Sequence, residues 1–164
     1  MRKRATSDVP GAPGVFRAVA VALALAAPGW AHAQIKVENP WVRGAVPGQL
    51  ATGAFLDITS ARAARLVKAE SPIAATVEVH AMEMKNDLMT MHEVPVLELP
   101  PGKQIRLAPG GLHIMLMDLK QPLKNGEAVP IRLTIEYPDK KREIVEIKAQ
   151  VRGLGMSQEH QQKH

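Results

Sequence analysis

Residues 77–117, VEVHAMEMKNDLMTMHEVPVLELPPGKQIRLAPGGLHIMLM, decide how this chain folds and what it can hold. In a β-strand successive side chains point to opposite faces, so alternation can be read directly. Val77 and Val79 share one face with Ala75, and Glu78, His80, Met82 and Met84 share the other with Thr76. Lys85-Asn86-Asp87 reads as a turn. The next strand, from Leu88 to Val94, puts Met89 and Met91 on one side and Leu88, Thr90, His92 and Val94 on the other. After Pro109-Gly110-Gly111, the segment Leu112 to Leu119 places Leu112, Ile114 and Leu116 opposite His113, Met115 and Met117. Six of the chain's eight methionines and three of its six histidines fall in this stretch.

Outward from it the same punctuation continues. Ile35-Lys36-Val37 starts a short strand, Asn39-Pro40 is expected to break it, and Trp41-Val42-Arg43 resumes extended structure. Val46-Pro47-Gly48 is a turn signal. Thr52 to Thr59 carries Ala54, Leu56 and Ile58 at period two, and Leu66-Val67 marks a further short strand. Gln104 to Leu107 follows the Pro100-Pro101-Gly102 loop. Val129 to Tyr137 and Arg142 to Val151 are two long strands joined at Pro138-Asp139. Many short strands, frequent Pro and Gly and no long helical period predict an all-β sandwich or barrel.

The expected organisation has three parts. Residues 1–33 read as a secretory signal: Arg2, Lys3, Arg4 and Arg17 precede or flank the apolar run from Val19 to Pro28, and Ala31-His32-Ala33 is a small-residue cleavage pattern. Retention as a membrane anchor is the alternative, disfavoured by the short run and by Pro28-Gly29. Residues 34–152 form the β domain, and 153–164 a flexible polar tail. With the four basic residues and one acidic residue of the signal set aside, 17 basic and 15 acidic residues remain, a net of +2. The basic balance of the full chain is thus largely a targeting feature, and nucleic-acid binding has little support. Aromatics are only 3% of the chain, so the core must be aliphatic. There is no cysteine, which excludes a blue-copper centre, an iron–sulfur cluster and a thiol nucleophile.

Three strands therefore each present imidazole or thioether on one face: His80 with Met82, Met89 with Met91, and His113 with Met115. Neutral nitrogen and soft sulfur, without carboxylate or thiolate, suit Cu(I); zinc favours thiolate, imidazole or carboxylate, and calcium needs oxygen. The plainer reading is that methionine fills cores and that an apolar strand is simply buried. Repetition across separate strands weighs against that reading.

The spacing of His80, ten residues, Met91, twenty-one residues, His113, one residue and Met115 resembles the signature of the PCuAC family of periplasmic copper chaperones. Met82 also matches a methionine often written into that motif and is a secondary candidate, as an alternative ligand or a supporting residue beside the ion. The resemblance extends to Asn39-Pro40-Trp41-Val42-Arg43, Thr52-Gly53-Ala54-Phe55-Leu56 and Val77-Glu78-Val79-His80, and covers about Lys36 to Val151. It implies a cupredoxin-like β-sandwich in the bacterial periplasm, without stable membrane insertion once the signal is removed. That sandwich would hold one Cu(I) through His80, Met91, His113 and Met115. It further implies delivery of copper to the dinuclear centre of cytochrome c oxidase, either to its copper-bearing subunit directly or through another copper chaperone. One departure is Lys85-Asn86-Asp87-Leu88, where family members usually carry a glycine. Met84, Met89 and Met117 are read as packing around the site, and His92 falls on the far face from Met91. In the tail, Met156, His160 and His164 are secondary candidates, for Cu(II) by resemblance to family members with His/Met-rich extensions.

Three rival functions follow from the same residues. An enzyme is disfavoured because no serine–histidine–carboxylate set is evident and because Met-rich ligation disfavours Cu(II). A metal-free methionine patch for a protein partner, and copper storage or detoxification without transfer, are the others.

Overall fold

The computed structural model describes residues 34–153. Within them every regular element is a strand. In chain order these are β1 (Ile35–Arg43), β2 (Ala51–Ser60), β3 (Ala64–Glu70), β4 (Ala74–Lys85), β5 (Leu88–Glu93), β6 (Leu97–Leu99), β7 (Gln104–Leu107), β8 (His113–Leu119), β9 (Ala128–Glu136) and β10 (Arg142–Arg152). The fold is the expected all-β, cupredoxin-like sandwich. The signal and the tail candidates Met156, His160 and His164 lie outside the described residues.

The strands hydrogen-bond in the order β5-β4-β8-β2-β1-β10-β9-β3-β6, with β7 also on β2. Strand β2 is shared along its length: Ala51 to Ala54 pair with β8, whereas Leu56 to Thr59 pair with β7. Only β1 and β10 run parallel among the strand pairs described. One continuous aliphatic core draws on both ends of this order, with Ile58, Leu66, Leu99, Ile114, Leu116, Ile131, Leu133 and Ile135 essentially inaccessible. A ribbon of strands whose two halves share one core is folded over on itself, which is the sandwich. Each such side chain contributes roughly 1.5–3 kcal/mol through burial, and this core has to suffice without a disulfide.

The expected break at Asn39-Pro40 is not a break. Strand β1 runs through it with one extra residue: pairing with β2 passes from Glu38 opposite Asp57 to Trp41 opposite Phe55. Pro40 has no N–H to give the ladder, and Asn39 adopts φ 50°, a left-handed value that asparagine tolerates. A bulge of this kind flips the faces beyond it. Before it Ile35 faces the core; after it Val42 does, and Trp41 is turned to the outer face beside Phe55.

Two other differences are local. Leu66-Val67 belongs to a seven-residue strand, Ala64–Glu70, and Leu97–Leu99 adds a three-residue strand against it. The second was hidden by Pro95, Pro100 and Pro101 on either side, which punctuate a run too short to show a period. The turn lacking glycine closes tightly all the same: Lys85 pairs with Leu88, and Asn86 and Asp87 take φ 51° and 61°. Two consecutive left-handed residues make a type I′ hairpin, whose twist matches the flanking strands.

Candidate metal-binding face

Strands β5, β4, β8 and β2 lie side by side, and their register collects the candidate donors. His80 stands directly opposite His113, and Glu78 opposite Met115, across β4 and β8. Met82 stands opposite Met91, and Met84 opposite Met89, across β4 and β5. Directly opposed residues share a face. His80, Met82, Met91, His113 and Met115 are therefore on one face of three neighbouring strands, although 33 positions of sequence separate His80 from His113. Their opposite-facing neighbours Val79, Ile114 and Leu116 are buried in the core, and that anchors the register.

The two rings are close and nearly perpendicular, with centroids 6.0 Å apart and an interplanar angle of 76°. An imidazole nitrogen lies roughly 1.2 Å from its ring centre and binds a metal at about 2.0 Å, so rings sharing one ion have centroids within about 6.5 Å. The observed separation meets that limit.

Hydrogen bonds occupy one nitrogen of each ring. His113 Nδ1 donates to the Gly111 carbonyl at 2.9 Å, and His80 Nε2 lies 2.9 Å from Glu78 Oε2. His80 Nδ1 is buried and has no hydrogen-bond partner; among the described residues it is the one buried side-chain nitrogen or oxygen in that position. Glu78 precedes His80 by two residues, so strand alternation sets both on the same face. The sequence reading placed it there without giving it a role.

Accessibility is graded across the donors. His80 and His113 are 8% and 7% exposed, Met82 and Met115 are partly covered, and Met91 on the outermost strand is 51% exposed. Met84 and Met89 continue an exposed apolar ledge along the β4–β5 hairpin, with Leu88 exposed on its other side. His92 is on the far face, opposite Ala81 and 3.9 Å from Glu83. Among the described residues no three His, Cys, Asp or Glu side chains converge on a metal-sized point.

A cleft of about 310 Å³ opens beside His113 and is lined also by Met82, Met115, Arg43, Phe55 and Pro109. A larger cleft, about 460 Å³, lies by Pro72, Pro130 and Arg132 and holds none of the candidate donors. The wall of the first is aromatic and cationic. Phe55 packs on Trp41 with centroids 4.4 Å apart and lies 6.4 Å from the His113 ring. Arg43 and Arg152 cover Phe55 and Trp41 at 5.6 Å and 5.2 Å. Gly53, opposite Met115, makes room for this: a Cβ there would come within 2.8 Å of the Phe55 ring. Trp41, Phe55 and Arg43 were legible as a family-like pattern; the alternation of β2 puts Phe55 beside His113, and the β1 bulge turns Trp41 and Arg43 to the same face.

Such a sandwich, with imidazole and thioether gathered on one outer face near a sheet edge, is a PCuAC-type domain. The chain belongs to the LpqE-like family, described as "Putative lipoprotein LpqE-like", whose model matches residues 35–151. A curated relative, "Putative lipoprotein Lxx21020" of Leifsonia xyli subsp. xyli (strain CTCB07), is 38% identical over 102 residues, 60% of each chain. The present chain thus spans about 60% of that relative's length. Among solved structures, the copper-bound PCuAC domain from PmoF2 is 26% identical with a TM-score of 0.60, covering 76% of this chain and 97% of that one. The CuI form of DR1885 from Deinococcus radiodurans is 31% identical with a TM-score of 0.50, covering 74% and 83%.

Proposed function

We propose that this protein is an exported Cu(I) carrier that binds its cargo ion through His80, Met91, His113 and Met115 and passes it to another copper protein. The observation that carries this reading is the pairing of His80 with His113, each ring with one nitrogen hydrogen-bonded and the other available, on a face that also bears Met115 and Met91. Soft thioether with neutral imidazole selects Cu(I) over zinc or calcium. The copper-bound structures of PmoF2 and DR1885 support the same cargo. The signal-like residues 1–33 and the lipoprotein relatives support export to the cell envelope, and the periplasm is the compartment we propose.

Transfer follows from the gradient of exposure. Met91 is the most accessible of the four donors and is the one an incoming ligand displaces first, while the buried imidazoles hold the ion until the partner's donors are in place. Thioethers are weaker donors than thiolates, so an acceptor site that contains cysteine draws Cu(I) downhill. The dinuclear centre of cytochrome c oxidase is the acceptor we propose, reached directly or through a second copper chaperone. No catalytic role is proposed.

The test is anaerobic Cu(I) titration against a chromophoric chelator, with zinc as control, followed by incubation of the loaded protein with the apo oxidase subunit. Tight Cu(I) binding lost in His80→Ala and His113→Ala supports the site. Retention by both variants would move the ion off these histidines, and absence of tight Cu(I) binding in the wild type would return the exposed ledge of Met84, Met89 and Met91 to the reading of a metal-free docking patch. Binding without transfer would leave storage.

A further inference from the structure

We infer that Glu78 is a positioning residue that fixes the tautomer of His80, so that the two histidines offer opposite nitrogens to the cargo ion: Nδ1 from His80 and Nε2 from His113. The inference rests on the copper-carrier reading above and adds a residue and a donor atom to it.

The argument is one of donors and acceptors. An ionised carboxylate can only accept a hydrogen bond, and so can a backbone carbonyl. His80 Nε2, 2.9 Å from Glu78 Oε2, must therefore carry the proton. A neutral imidazole has a single N–H, which leaves the lone pair of His80 on Nδ1. The same reasoning at His113, where Nδ1 faces the Gly111 carbonyl at 2.9 Å, leaves its lone pair on Nε2. The free nitrogen of His80 is buried without a protein partner. A buried acceptor left unpaired is costly, and a cation placed on it removes that cost.

Glu78 is placed for this by local geometry and by register together. Spacing of two residues puts its carboxylate beside the His80 ring on one face of β4. Pairing across β4 and β8 puts the same residue opposite Met115, so it sits between two of the four proposed donors. A hydrogen bond from a ligating histidine to a carboxylate fixes the ring's orientation and strengthens it as a donor.

The experiment reads the nitrogens directly. Long-range proton–nitrogen correlation spectra of the labelled apo protein report which nitrogen of each ring is protonated. Loading with a spin-active isotope of silver(I), as a stand-in for Cu(I), reports through scalar coupling which nitrogen is bound. The expected result is Nε2–H at His80 and Nδ1–H at His113, with silver coupling to His80 Nδ1 and His113 Nε2. Glu78→Ala should give mixed tautomers at His80 and weaken silver and Cu(I) binding about tenfold or more, whereas Glu78→Gln, which keeps an acceptor oxygen, should hold the tautomer and stay within about threefold of wild type. Silver coupling at His80 Nε2, or an unchanged tautomer in Glu78→Ala, overturns this inference alone. Coupling at neither ring in the wild type overturns the copper reading beneath it as well. The wild-type spectra decide the donor atoms even if a Glu78 variant fails to fold.

Discussion

Met82 and Met91 face each other across β4 and β5, yet Met82 lines the cleft beside His113 and Met115 while Met91 stands half in solvent. Two thioethers in direct opposition can substitute for one another at an ion. Met91→Ala is expected to weaken Cu(I) binding about tenfold, and Met82→Ala by less. The double variant should lose more than the two losses combined, by a coupling of about 1 kcal/mol or more. Strict additivity in the chelator titration would show that the pair does not share the ion.

Gly53 leaves room for the Phe55 ring, which in turn lies beside His113. Gly53→Val should displace that ring and disturb His113 while leaving the core cluster intact. Reduced Cu(I) affinity with a urea midpoint close to wild type is the expected combination. Unchanged affinity would show that the aromatic wall does not support the site.

The β4–β5 turn holds Asn86 and Asp87 at left-handed φ values. A β-branched residue is poorly suited there, and Asp87→Val should cost about 1–2 kcal/mol in chemical denaturation. Asp87→Gly restores the usual I′ pair, Asn-Gly, and should be neutral or stabilising by about 0.5 kcal/mol. Loss of stability in the glycine variant would contradict the turn assignment.

Glu136 is buried at the far end of the sandwich, bonded by Arg142 and Arg65 with Lys140 nearby. The hydrogen bond from Arg142 leads in holding its carboxyl below the ordinary value of 4.5, with burial opposing. A group depressed in the folded state stabilises the fold above its unfolded pKa, and that stabilisation is lost as pH falls through the folded value. The urea midpoint should therefore decline below about pH 4.5. In Glu136→Gln that decline should be shallower. An identical acid profile for variant and wild type would remove Glu136 from the account.

Tyr137 is the chain's single tyrosine and donates its hydroxyl to Glu143, with Arg62 stacked 3.7 Å over its ring. Burial, then the Glu143 bond and charge, push its pKa from 10.0 up to about 12. Here the neutral form is favoured in the folded state. Stability is fully present below the unfolded value near 10 and is lost as pH rises toward about 12. Tyrosinate absorbance should accordingly lag behind that of the urea-unfolded chain. Coincident titrations would show the hydroxyl to be free.

By itself the sequence determined the class of fold, most strand positions and the residues carrying soft donors. Period-two alternation is a local property, visible wherever one face is apolar, as in Leu112 to Met117. It could not show that β8 is inserted between β4 and β2, nor that His80 meets His113 rather than a neighbour one residue away. Those are non-local pairings, selected when Val79, Ile114 and Leu116 are buried together on the other face of the same strands. The Asn39-Pro40 step illustrates the difference. Locally it reads as a break, but with both flanks held in one sheet the chain absorbs the extra residue as a bulge and turns Trp41 outward. Glu78 is the sharpest case: its face was readable from spacing, but only the tertiary structure puts its carboxylate on the His80 ring and leaves the second nitrogen buried and unpaired.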